Sequence, residues 1–224
     1  MAEGRVTTGS PDLDQILGGG LERQMITQIY GESGSGKSSI VIMAMVAALQ
    51  DGHHVLFFDT EGFSMDRFIQ VAGGEEAAAL LATRIRLYEP KTFAEQGICI
   101  QESETILSDT EISLIVMDSA TALYRSDLER RGDAQRMLGR QMIDLLALSR
   151  RYNAAVLITN QVYTEPATGR FFGLGGTALS HISKAVVSIE RINRHRRAVL
   201  VKHRSRPEGE SFDFVITGRG IGRC

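Results

Sequence analysis

The stretch Gly31-Glu32-Ser33-Gly34-Ser35-Gly36-Lys37-Ser38 decides how the rest of the chain is read. It fits G-x-x-x-x-G-K-[ST], a loop whose successive backbone N–H groups wrap a phosphate. The glycines let the backbone approach the phosphates without a Cβ clash. A helix starting at the end of the loop adds its partial positive charge. In such a loop the lysine, here Lys37, reaches the β- and γ-phosphates, and the hydroxyl, here Ser38, ligates Mg²⁺. Context supports the motif. Met25 to Ile29 reads as a strand before it, and Ser39 to Gln50 is apolar with helical spacing after it. Gly31, Glu32, Ser33, Gly34, Ser35, Gly36, Lys37, Ser38 and the adjoining Ser39 are therefore the expected cradle for ATP or GTP.

Working outward, the chain alternates apolar runs with helical patterns, the signature of a mostly parallel α/β sheet. Val55 to Phe58 and Ala154 to Thr159 are almost wholly apolar, as expected of strands covered on both faces. Each ends in polar residues, Asp59-Thr60-Glu61-Gly62 after the first and Asn160-Gln161 after the second. Chemistry in open α/β sheets gathers at the carboxyl ends of strands. Position alone leaves two readings of Glu61, a general base orienting the attacking water or a solvated strand-end acid. It leaves two of Gln161 as well, a γ-phosphate sensor or a plain strand-end amide. Leu114-Ile115-Val116-Met117-Asp118 is an apolar strand delivering one carboxylate, the pattern that supplies a Mg²⁺ ligand downstream of such a phosphate loop.

Two stretches lack a period. Tyr124 to Asp133 reads as an arginine-rich loop carrying Arg125, Arg130 and Arg131. Val162 to Thr177 reads as a long glycine-rich loop carrying Arg170, Phe171 and Phe172. An Arg beside aromatics suits stacking on single-stranded bases; a solvated charged loop and a Phe pair anchored on the core are the plainer readings. Beyond Ala185 the pattern turns to alternation, expected as antiparallel hairpins appended to the parallel sheet.

Composition bounds the function. The 224 residues, 43% hydrophobic and 23% charged, suit one α/β domain spanning 1–224, with Met1 to Gly4 as a tail. No apolar run reaches the ~18 residues of a membrane span and no signal pattern opens the chain, so a cytoplasmic location is expected. Cys99 and Cys224 form no metal or redox spacing. The net charge of −2 excludes adaptation to molar salt, yet it hides an asymmetry. Residues 150–206 hold eleven Lys/Arg against two acids, a surplus that favours contact with a phosphate backbone.

The phosphate loop, the FFDTEG strand end, the LIVMDS strand and the TNQV strand end come in the order of the RecA/RadA recombinases. The opening TTGSPDLDQILGGGLERQMITQIYG and the closing RPEGESFDFVITGRGI resemble the ends of the same ATPase core, so the likeness runs from about Arg5 to Ile221. The resemblance implies a RecA-like fold, ATP and Mg²⁺ as cofactors, Ser38 and Asp118 as metal ligands, Glu61 as water-activating base and Gln161 as γ-phosphate sensor. It makes Arg67 an adenine-stacking residue and the two aperiodic stretches DNA-binding loops.

Two departures follow. The helix-hairpin-helix domain and the polymerisation linker of RadA find no counterpart in Met1 to Val6. A core-only chain resembles the archaeal RadB family, paralogues of RadA. That implies DNA binding with single strands favoured, weak ATP hydrolysis, no strand exchange, and a regulatory role beside RadA and the Holliday-junction resolvase in repair and recombination. The second departure is Lys202-His203-Arg204, a K-x-R similar to one in the KaiC and replicative-helicase branches, where it reaches a neighbouring subunit's nucleotide. Residues two apart on a strand share a face. Lys202 and Arg204 are thus expected to act in trans in a homo-oligomer, with ordinary surface charge as the plainer reading. Such a finger is worth ~10³ or more in rate. Two other functions stay open: a KaiC-like regulatory ATPase without DNA binding, and an adaptor that uses ATP as a structural ligand.

Overall fold

The computed structural model describes residues 4–128, 133–164 and 171–224. Its elements follow in chain order: β1 (Arg5–Val6), α1 (Pro11–Ile16), β2 (Leu21–Glu22), β3 (Ile26–Gly31), α2 (Lys37–Gln50), β4 (His54–Asp59), α3 (Met65–Ala72), α4 (Glu75–Ala82), β5 (Ile85–Tyr88), α5 (Phe93–Asp109), β6 (Ile112–Asp118), α6 (Ala122–Leu128), α7 (Ala134–Arg151), β7 (Ala155–Asn160), β8 (Val162–Thr164), β9 (Phe171–Gly173), α8 (Gly176–Ile182), β10 (Ala185–Ile192), β11 (His195–His203), β12 (Ser211–Thr217) and β13 (Gly220–Arg223).

Among the described residues the main sheet has nine strands in the order β13-β12-β11-β10-β3-β7-β6-β4-β5. The six from β10 to β5 run parallel, and β11, β12 and β13 add antiparallel turns at one side. The apolar runs owe their continuity to helices on both faces. On β4, Val55 and Phe57 enter the core with α2, α3 and α4, while Leu56 and Phe58 enter the core with α5 and α7. β6 and β7 split the same way, Leu114, Val116 and Leu157 to one side, Ile115, Met117 and Ile158 to the other. A period of two combined with two apolar layers gives an uninterrupted apolar word.

Helix α2 is buried nearly all round, from Ile40 through Leu49. The sheet covers one side of it, α3 packs beside it, and Phe214 and Ile221 of the C-terminal strands join the same core. Caps set several helix starts. The Ser10, Ser64 and Thr92 side chains accept from Leu13, Arg67 and Glu95 N–H, satisfying first-turn donors.

Two expectations about loops are corrected. Residues 124–128 are helix: Tyr124 is buried, stacks edge-on against Phe93 at 5.7 Å, and helps hold α6 onto α5. Packing overrides an arginine-rich sequence with no visible period. The stretch 162–177 is bounded by order too, with β8 pairing antiparallel to β9 and α8 starting at Gly176. The pair β1–β2 had no reading in the sequence, for its brevity, while β12–β13 closes the run of antiparallel hairpins expected beyond Ala185. No helix of the described residues is long and apolar enough to cross a membrane.

Candidate nucleotide site at the strand tips

Parallel pairing brings the carboxyl ends of β3, β4, β6 and β7 to one edge of the sheet, with Asp59 beside Asp118 and Tyr30 beside Asn160. The phosphate loop leaves β3 and enters α2 through Gly36, whose φ of 107° is the left-handed conformation that glycine tolerates. A Cβ there would also sit 3.3 Å from Ile216. Lys37 is buried and donates from Nζ to the carbonyls of Gly31 and Glu32, each at 2.9 Å. Burial lowers its pKa, and Glu61, Asp118 and Glu32 oppose that fall.

A test of whether the loop fits a polyphosphate comes from Ser35. Its hydroxyl is buried with no hydrogen-bond partner among the described residues. Buried polar atoms are nearly always paired, and a phosphate oxygen would pair this one. The metal ligands expected from the sequence also meet. The Ser38 hydroxyl lies close enough to Asp118 to hold its pKa down, and Asp118 accepts a bond from the Thr159 hydroxyl. Burial pushes the Asp118 carboxyl up, Thr159, Ser38 and Lys37 hold it down, and Glu61 adds to the rise. A buried carboxylate and a hydroxyl, side by side, are a hard-oxygen donor set suited to Mg²⁺.

Glu61 is exposed, yet it is held. Its Oε1 accepts from the Ser119 hydroxyl at 2.7 Å and from the Gln161 amide at 2.8 Å. The general-base candidate and the sensor candidate, one hundred residues apart, are thus in direct contact. Both bonds fall on one oxygen. Asp59 shapes the segment beneath. Its carboxylate accepts from the N–H groups of Glu61 (3.2 Å), Gly62 (2.8 Å) and Phe63 (2.6 Å). Thr60 bridges to the next strand end, donating to the Ser119 carbonyl and accepting from its N–H, both at 2.8 Å. The peptide between Asp118 and Ser119 is cis.

Behind Gln161 lies a relay whose centre, Thr121 and Asn160, is fully buried. The Thr121 hydroxyl donates to Asn160 Oδ1 at 2.8 Å and accepts from Gln161 N–H at 3.1 Å. Asn160 Nδ2 donates to the Leu174 carbonyl at 2.8 Å, and Leu174 N–H donates to the Gln161 carbonyl at 2.8 Å. The root of the second aperiodic stretch is therefore bonded to the end of β7. Thr60, Ser119, Thr121, Thr159 and Asn160 had no place in the sequence reading; their one signal was a polar residue at every strand end.

Other candidates are spread out. Arg67 donates to the Gly220 carbonyl of β13 (2.9 Å) and to Gln70 (3.1 Å), a tether that fixes the guanidinium plane and stays compatible with stacking. Arg125 is exposed on α6. Phe172 is exposed and lies 6.0 Å, centroid to centroid, from exposed Tyr163 across β8–β9. Arg130, Arg131 and Arg170 lie outside the described residues, as does the Phe171 side chain. Lys202 is engaged within the chain, donating to the carbonyls of Ser180 and Ser183 (3.0 Å to the latter) at the end of α8. β11 ends at His203, so Arg204 lies past the strand and the shared face expected for the pair does not apply. Arg204 pairs with Glu22.

Comparison with known proteins accords with this geometry. The Rad51 family model matches residues 4–223. A protein of Methanoculleus marisnigri named DNA repair and recombination protein RadB is 53% identical over 223 residues, covering 99% of each chain. The protein of that name from Archaeoglobus fulgidus is 40% identical over 219 residues, covering 96% of this chain and 97% of its own. This chain belongs to the archaeal RadB family of Rad51-like proteins. A solved structure described as that of the RadB recombinase superposes with a TM-score of 0.83 at 33% identity, covering 98% of this chain and 99% of that one. The RecA-like α/β fold with its antiparallel extension is thereby shared along nearly the full length.

Proposed function

We propose that this chain is a DNA-binding, Mg-dependent ATPase of slow turnover that supports repair and homologous recombination in the cytoplasm. It regulates RadA or Holliday-junction processing and does not catalyse strand exchange. The observation that carries this reading is the Glu61–Gln161 contact with its buried continuation to Leu174. Ser38 and Asp118 would hold Mg²⁺, which neutralises phosphate charge when bound. Lys37 binds the β- and γ-phosphates, and Ser35 offers them a hydroxyl. Glu61 holds the water in line and takes its proton, with Ser119 and Gln161 fixing the carboxylate. Gln161, in contact with Glu61, would meet the γ-phosphate, and its position would report nucleotide state to the root of the second loop. The exposed pair Tyr163 and Phe172, beside a cavity of about 390 Å³ that Tyr30 and Lys202 also line, suits stacked single-stranded bases.

The test combines two assays on the wild type, Glu61→Gln and Lys37→Ala. The wild type is expected to bind a single-stranded oligonucleotide with log affinity falling by about 0.7 per phosphate contact per decade of salt. Glu61→Gln keeps ATP and loses about 10²–10⁴ in hydrolysis, the usual weight of a positioned base. Unchanged hydrolysis in Glu61→Gln, or no salt-dependent DNA binding, sinks the proposal.

A second reading draws on Lys202. Its ammonium is spent on the carbonyls at the end of α8, which leaves it a poor trans finger and suits an adaptor for which ATP is a structural ligand. That reading predicts that Lys37→Ala abolishes binding to RadA while Glu61→Gln retains it.

A further inference from the structure

Gln28 stands in the middle of β3 and is 4% exposed. Its amide oxygen accepts from the Ser183 hydroxyl at 3.2 Å. Its amide nitrogen donates to nothing among the described residues, although buried polar atoms are nearly always paired. The nitrogen sits beside Gly173, where a Cβ would lie 3.3 Å from it. Gln28 and Gly173 both line the cavity of about 390 Å³ next to Tyr163 and Phe172. That volume falls within the roughly 300–1,000 Å³ of small-molecule sites.

The cavity lies on the face of the sheet away from α2. Alternate residues of a strand point to opposite faces, and Ile29 enters the core with α2. Gln28 and Tyr30, on either side of it, therefore face the other way. The register continues the wall, with Val186 beside Gln28 and Ser188 beside Tyr30. Phe68 of α3 shares the α2 core, so Arg67 and the base of a bound ATP belong to the opposite face. The mouth of the cavity is aromatic, since Tyr163 and Phe172 are both exposed. Leu174, Val186 and Val201 give it apolar walls, and the Gln28 amide is the buried polar group at its floor. Apolar lining with a few placed polar groups is how a site fixes a flat ligand's orientation.

Stacking rings, apolar walls and a donor at the edge fit a nucleobase taken out of its stack. A glutamine that reads adenine uses both ends of its amide, the oxygen accepting from N6 and the nitrogen donating to N7. Here Ser183 holds the oxygen, so the side chain offers only its N–H groups. Those donors match a carbonyl, thymine O4 or guanine O6, and meet a second donor in cytosine N4 or adenine N6. We propose that this cavity captures one unstacked base of a bound single strand, and that the Gln28 amide selects a base with a carbonyl on its edge. The inference rests on the DNA-binding reading above and gives it a base preference. A free nucleotide carries the same edge, so the test separates it from the strand.

Fluorescence titration of the full chain with dT and dC oligonucleotides of one length compares two pyrimidines of like size, carbonyl against amine at the same ring position. The wild type is expected to favour dT by about 2–10-fold, the weight of one net hydrogen bond. In Gln28→Leu the dT affinity should fall to that of dC, with the salt slope unchanged because no phosphate contact is lost. Val201→Trp alters an exposed rim position, leaves the buried amide in place, fills the mouth and should abolish the preference too. Equal affinity for dT and dC in the wild type overturns the inference, as does a dT preference that survives either variant. Displacement of the dT oligonucleotide by dTMP at the same base concentration rejects capture from a strand. Absence of single-strand binding in the wild type tells instead against the function proposed above.

Discussion

Thr121→Val removes one buried hydroxyl and keeps the side-chain shape. That hydroxyl serves two partners, donating to Asn160 Oδ1 and accepting from Gln161 N–H, and both Thr121 and Asn160 are fully buried. The variant leaves an acceptor and a donor unsatisfied, each costing about 1–3 kcal/mol. Allowing for partial relaxation, the loss comes to about 2–4 kcal/mol, a sizeable part of the roughly 5–15 kcal/mol that holds a domain together. Thr121→Ser is the control. It keeps the hydroxyl and removes one methyl, about 0.8 kcal/mol. Urea unfolding at constant slope reads the difference, with the midpoint moving and the slope unchanged. By melting, the Val variant should fall on the order of 10 °C, since a domain of this size loses about 2–4 °C per kcal/mol. Single-turnover ATP hydrolysis should fall with it, because the Gln161 backbone loses the bond that fixes its amide toward Glu61. If Val costs no more than Ser, the relay behind Gln161 carries no energy and the coupling proposed through it fails.

Three further outcomes are expected. Lys37→Ala should abolish the thermal stabilisation that MgATP gives the wild type, about 2.7 kcal/mol at a ligand concentration a hundredfold above Kd; a retained shift on addition of MgATP in calorimetry counts against the site. Gly173→Ala places a Cβ 2.7 Å from Asn160 Nδ2 and 3.3 Å from Gln28 Nε2, so it should cost about 1–3 kcal/mol of overpacking and weaken dT binding, read by unfolding and fluorescence titration. His203 has its pKa lowered by burial and by the cations Arg5 and Arg206, so the folded chain holds that proton less tightly than the unfolded chain. Its contribution is therefore flat above the ordinary histidine value near ~6.5 and is lost as pH falls from there through the folded value. Melting from pH 7.5 to 5.5 should show a smaller decline in His203→Gln than in the wild type, and parallel curves would dismiss the effect.

The parts of the fold legible in the sequence were those whose cause is local or periodic. The apolar words of β4, β6 and β7 announce strands covered on both faces. The phosphate loop and Asp118 were legible because spacing along the chain is itself their chemistry. What holds Glu61 was not. Ser119 lies 58 residues from Glu61, and Thr121 lies 39 from Asn160, so their bonds exist only once β4, β6 and β7 are side by side. Small polar residues at strand ends look alike until the register is known. α6 failed for the opposite reason: its sequence suggests solvent, and the Phe93 ring beneath Tyr124 decides otherwise. Of the cations Arg5, Arg23, Arg150, Lys184 and Arg204 that line one cavity, the last three fell within the regional surplus of 150–206 and the first two did not, because their segments span the chain from Arg5 to Arg204.

Helix α2 carries the phosphate loop at its start, and one flank of it is roofed by the C-terminal strands. Ile216 approaches Gly36, Phe214 and Ile221 enter the core around the helix, and Arg67 reaches across to the Gly220 carbonyl. Roughly 180 residues separate Gly36 from Gly220. At the usual pace of translation, about 5–20 residues per second, the loop emerges roughly 10–40 s before its roof. A nascent chain carries its nucleotide-binding sequence for most of its synthesis with an apolar helix flank uncovered. Competence to bind ATP firmly is thus a late event in the life of the molecule, and a chain stalled before β12 leaves the ribosome with the loop and without the site.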